Sequence, residues 1–110
     1  TKTITRDPRP GNPPNRLWET PSGMINSIGL PGPGLDRFLQ TDLARYARFG
    51  VPVIVSVMAE TREGFAELVQ AVAARDEVAG IELNVSCPNV HSGLIVGEQA
   101  SETEALLKRL

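Results

Sequence analysis

The chain has one cysteine, Cys87, in the stretch ELNVSCPN (82–89). A lone thiol makes no internal disulfide, so it is either a small buried hydrophobe or a reactive group. A cysteine thiol titrates near 8.5, close enough to neutrality to act as a general base where its surroundings help. Two carboxamides flank it, Asn84 on the approach and Asn89 just beyond. Carboxamides present paired donors and acceptors, which suit an amide- or imide-bearing heterocycle. Lys2 lies in TKTIT, a β-branched segment. If it faces inward it needs an anion, such as a bound ligand; the alternative is an exposed strand terminus. MINSIGL (24–30) adds Asn26 and a turn residue, Gly29, where freed backbone amides can hold a carboxylate. His91 follows Cys87 closely and invites a Cys–His nucleophile, but its turn-rich setting, CPNVHSG, favours a solvated histidine. One cysteine, one histidine and no carboxylate cluster make no zinc site.

These residues need a scaffold, and hydrophobic patterning supplies one. VPVIVSV (51–57) is a nearly continuous β-branched run, as in a strand of a buried parallel sheet. GIELNVS (80–86) reads as a second strand, with Ile81, Leu83 and Val85 on one face and Glu82, Asn84 and Ser86 on the other. In the earlier strand Val53, Val55 and Val57 share a face opposite Ile54, Ser56 and Met58. Helical spacing links Leu35, Phe38, Leu39, Leu43 and Tyr46, and again Phe65, Leu68, Val69 and Val72. Ser101 and Glu104 have capping-box spacing ahead of Leu106, Leu107 and Leu110, which predicts a helix starting at Ser101.

Residues 7 to 34 differ from the rest. They hold all but two of the nine prolines and half of the ten glycines, which predicts an elaborated loop. Leu17, Trp18, Met24, Ile25 and Ile28 are apolar anchors a solvated linker would not need, so the loop is expected to cover a site. The resulting order is strand, covering loop, helix, strand, helix, strand, loop, helix, an α/β alternation that implies a parallel sheet with crossover helices. Polar residues on one strand face near the carboxyl end favour a (β/α)8 TIM barrel over an open doubly wound sheet. A barrel takes about 250 residues, so residues 1–110 would cover about three βα units. The absence of an initiating methionine points the same way. A net charge of −2 offers no nucleic-acid footprint, and no apolar run reaches the length of a membrane span. A reducing, cytoplasmic setting is the default for one unpaired thiol.

TKTIT, RPGNPPNRLWETPSGMINSIGLPGPG and ELNVSCPN together resemble the family 1 dihydroorotate dehydrogenases, in the NAD-linked subclass, along essentially the whole chain. The resemblance implies an FMN-containing barrel that oxidises dihydroorotate to orotate in pyrimidine (UMP) biosynthesis. It matches Cys87 to the base that removes the C5 proton while hydride leaves C6 for the flavin. Lys2 matches a lysine contacting flavin and substrate, and Thr3 its flavin-binding neighbour. Asn26, Ser27, Ile28, Gly29 and Leu30 match the orotate-binding segment, Asn84 an asparagine touching both ligands, and Asn89 a further substrate contact. Ser56 stands at a flavin-contact position where relatives usually carry asparagine, so a contact there is expected to run through water.

No metal is implied in this chain. The partners implied are a homodimer mate, or an electron-transfer subunit carrying FAD and an iron–sulfur cluster in a heterotetramer. Related readings are a flavin barrel acting on dihydropyrimidine bases that lack the carboxylate, and a truncated non-catalytic module pairing through an open sheet edge. The family's flavin-phosphate site lies beyond the matched strands, so the 110 residues alone are expected to be inactive.

Overall fold

A computed structural model describes residues 1–86 and 96–110. The chain begins extended. Ile4 bridges Val57 in parallel, with its N–H donating to the Ser56 carbonyl at 2.7 Å and its carbonyl accepting from Met58 at 2.9 Å. The Pro/Gly-rich segment that follows contains a β-hairpin, β1 (Leu17–Thr20) and β2 (Gly23–Asn26), paired antiparallel with Trp18 opposite Ile25. A short hairpin thus stands inside the segment read as a loop. Each strand has only four residues, and Pro21-Ser22 replaces the glycine-containing pairs that mark tight hairpins in sequence. Leu17, Trp18, Met24 and Ile25 are 56–65% exposed, so these anchors do not pack into the core of this chain.

After Gly34 the backbone turns helical: α1 (Leu35–Arg37) passes through one wide π turn (Phe38–Asp42) into α2 (Leu43–Ala47). Leu35, Phe38 and Leu43 face inward along it and are buried. β3 (Val53–Val57) follows, then α3 (Arg62–Ala73), then β4 (Val78–Leu83), with β3 and β4 parallel and Ser56 opposite Glu82. Thr61 starts α3 as its N-cap, accepting from the Gly64 N–H at 3.0 Å. Thr61→Ala leaves that donor without its cap and is expected to cost about 1 kcal/mol of stability, measurable by urea denaturation.

The last helix, α4 (Ala100–Leu107), begins after Gln99, ahead of the Ser101 start expected from its spacing with Glu104. The N-cap is Gln99, whose side chain makes no capping bond to the helix. The Thr103 hydroxyl donates to the Val96 carbonyl at 2.9 Å.

The core lies on one face of the sheet. Val53, Val55 and Val57 from β3 meet Phe65, Leu68 and Val72 from α3, Phe38 and Leu43 from the first helix, and Leu106 from α4. Ile81, Leu83 and Val85 join from the same side, as their alternation requires. Each fully buried aliphatic side chain contributes about 1.5–3 kcal/mol. Met58 is also buried there, because β3 ends at Val57 and strict alternation ends with it. The other face is uncovered: Ile54 is 56% exposed, and Glu82 and Ser86 are exposed. The Ile4 segment, β3 and β4 lie side by side in sequence order and parallel, apart from the β1–β2 hairpin, and these described strands form no closed barrel.

Candidate active site

The sequence-predicted site residues that the structure describes fall into two groups. The first is a polar line at the carboxyl ends of the strands. Thr3 Oγ1 lies 3.1 Å from Ser56 Oγ, and Asn84 Nδ2 donates to Thr3 Oγ1 at 3.2 Å. Ser86 Oγ donates to Asn84 Oδ1 at 3.2 Å. The Asn84 backbone N–H donates to the Val57 carbonyl at 2.9 Å, which carries the β3–β4 ladder one residue past β4 and holds Asn84 beside β3. The Ser56 side chain is buried, 3% exposed, against Thr3.

The second group surrounds a cleft of about 400 Å³ lined by Lys2, Asn12 and residues 26–30 (Asn26, Ser27, Ile28, Gly29, Leu30). That volume lies within the roughly 300–1,000 Å³ usual for small-molecule sites. Lys2 is exposed here and makes no ion pair among the described residues. Thr3, rather than Lys2, reaches the hydrogen-bonded groups of β3 and β4.

Asn12 holds the cleft loop, and sequence reasoning missed it. Its Nδ2 donates to the Ser27 carbonyl at 3.1 Å and to Ser27 Oγ at 2.7 Å, and its backbone N–H donates to the Ile28 carbonyl at 3.1 Å. Arg16 then secures this segment by donating to the carbonyls of Asn12 and Pro10. An asparagine between glycine and proline reads as a turn residue, which hides a long-range role.

Backbone conformation explains why the cleft loop needs glycine. Gly29 has φ +79° and Leu30 φ +50°, two successive left-handed residues, and only glycine takes that region without strain. A Cβ added at Gly29 would overlap the Asn12 backbone nitrogen and side chain. Gly11 makes the matching approach, where a Cβ would lie 2.7 Å from the Ile28 carbonyl oxygen. Gly29→Ala combines strain and overlap, so it should push the 26–30 turn off Asn12. Stability should fall by about 1–3 kcal/mol, and a ligand of this cleft should bind roughly tenfold or more weakly. A titration and a thermal melt check both.

Cys87, Asn89 and His91 lie outside the described residues. Among the described residues no three His, Cys, Asp or Glu side chains gather as a metal site, and no helix is long and apolar enough to cross a membrane. Among the described residues, two shifted groups lie on the surface. Hydrogen bonding to Glu102 raises Arg62, and a backbone hydrogen bond with help from Arg75 lowers Glu77.

The fold is a parallel βα arrangement, with a cleft lined by Lys2, Asn12 and residues 26–30. The family model described as dihydroorotate dehydrogenase matches residues 1–110, and the chain belongs to that family. Its relatives include the protein named dihydroorotate dehydrogenase B (NAD(+)), catalytic subunit, from Desulforudis audaxviator, 44% identical over 110 residues that make up 99% of this chain and 36% of the relative. The protein of that name from Bacillus caldolyticus is 42% identical over 109 residues, covering 99% of this chain and 35% of the relative. That from Thermoanaerobacter pseudethanolicus is 47% identical over 92 residues, covering 84% and 30%. The chain thus spans about a third of the length of the curated relatives it matches.

Proposed function

We propose that this chain is part of the catalytic subunit of an NAD-linked dihydroorotate dehydrogenase, an FMN-dependent (β/α)8 barrel to which it contributes about three βα units. The observation that supports the reading is the cleft lined by Lys2 and the 26–30 turn, with Thr3, the next residue in sequence, hydrogen-bonded to Asn84 just past the carboxyl end of β4. Barrel enzymes keep their chemistry at that end. The reaction removes a proton from C5 and a hydride from C6 of dihydroorotate, giving orotate for pyrimidine synthesis in the cytoplasm.

The residues present fit a flavin ring. The uncovered face offers an exposed apolar side chain, Ile54, beside half-buried donors and acceptors on Thr3 and Asn84, the mixture a flat heteroatom-edged ring requires. Lys2, Thr3 and Asn84 would hold it, and its phosphate would bind outside these residues. Bound FMN supplies the hydride acceptor.

Lys2 and the turned backbone at Gly29 and Leu30 receive the substrate carboxylate, while Asn26 and Asn84 address the ring amides. Cys87 follows Ser86 directly in sequence and serves as the base that takes the C5 proton, with Asn89 as a further substrate contact. The proline-rich segment 7–34 helps keep water from the site. The word catalytic subunit in the relatives' names supports a partner subunit, which we assign FAD and an iron–sulfur cluster. A homodimer of catalytic subunits then makes the heterotetramer. The competing substrate class is dihydropyrimidine bases without the carboxylate. In the full-length FMN-loaded protein, orotate should perturb the flavin absorbance where uracil at equal concentration does not. Equal responses would favour the carboxylate-free substrates.

A further inference from the structure

Ser56 presents a problem of direction. Its side chain is 3% exposed, although its strand neighbour Ile54 on the same face is 56% exposed. Packing the rest of a barrel against this face can only bury Ser56 further. Its backbone is also occupied: the N–H donates to Thr1 Oγ1 at 3.2 Å and the carbonyl accepts from Ile4. What the hydroxyl meets is Thr3, at 3.1 Å.

Thr3 in turn meets the Asn84 carboxamide, and the other end of that carboxamide meets the Ser86 hydroxyl. Nδ2 of Asn84 donates to Thr3 Oγ1 and Ser86 Oγ donates to Oδ1, so both ends of the carboxamide are held, and Thr3 Oγ1 is itself held against the buried Ser56 hydroxyl. One Nδ2 proton and one Oδ1 lone pair then remain for a ligand edge.

We infer that Ser56 is a positioning residue: acting through Thr3, it holds the Asn84 carboxamide in place at the edge offered to the bound heterocycle. This rests on the functional reading above and takes it further, giving Ser56 a role in substrate orientation. The Thr3–Ser56 separation is long for a bond between hydroxyls, so the effect is modest.

The test uses the full-length FMN-loaded protein, with FMN per subunit and orotate Kd measured for Ser56→Ala, Thr3→Val and the double variant. Ser56→Ala should keep the FMN content of the parent and raise orotate Kd roughly three- to tenfold. Because Ser56 works only through Thr3, adding Ser56→Ala to Thr3→Val should change Kd no further. An unchanged Kd in Ser56→Ala, a loss of FMN in that variant, or additive effects in the double variant would each overturn the inference. The parent separates this from the functional reading. A parent that does not respond to orotate overturns that reading and the inference with it, whereas a responsive parent with an unchanged variant overturns the inference alone.

Discussion

Cys87→Ser in the full-length protein is expected to slow dihydroorotate oxidation by roughly 10²–10⁴-fold at neutral pH, with FMN content and orotate binding retained. A serine hydroxyl is a far weaker acid than a thiol, so at neutral pH almost none is in the form that accepts a proton. The substrate contacts proposed for Lys2, Asn26 and Asn84 are left in place, so the loss is expected in kcat rather than in binding. The pH dependence has a definite sign. The parent rate should rise with pH until the thiol is ionised and then level, while the serine variant should keep climbing through the same range. Steady-state rates across pH in the two proteins read this directly. A variant with the parent rate would remove Cys87 from the base role.

Lys2→Met is expected to weaken orotate binding by roughly 10- to 150-fold, the equivalent of one charge-assisted hydrogen bond of about 1.5–3 kcal/mol. Methionine keeps the length and apolar stem of lysine and removes only the charge. Lys2 is exposed and makes no ion pair among the described residues, so the melting temperature should stay near that of the parent. A pyrimidine without a carboxylate should lose much less affinity than orotate does. If both ligands weaken equally, Lys2 is not the carboxylate partner.

Legibility in the sequence followed burial. The β-branched run at 51–57 and the Phe65, Leu68, Val72 spacing announce β3 and α3, because both elements bury one consistent face. Residues 81–86 also alternate as read, which turned Asn84 toward the uncovered face beside Thr3. The hairpin was hidden because Leu17, Trp18, Met24 and Ile25 are all exposed, so no in-out alternation marks its strands. Asn12 was hidden for a different reason. Its partners, Ser27 and Ile28, lie fifteen and sixteen residues away across that same unread hairpin. Ser56 could be placed on a face but not in a network, since hydroxyl partners depend on the approach of a third strand that only Ile4 and its bridge to Val57 reveal.

The central claim is that these residues form part of a site that oxidises dihydroorotate through a bound flavin. Anaerobic mixing of the full-length FMN-loaded protein with dihydroorotate tests it most directly, with flavin absorbance and orotate followed together. Bleaching of the flavin with formation of an equimolar amount of orotate is the predicted result. A flavin that stays oxidised with dihydroorotate, yet is bleached by a dihydropyrimidine base, would contradict it.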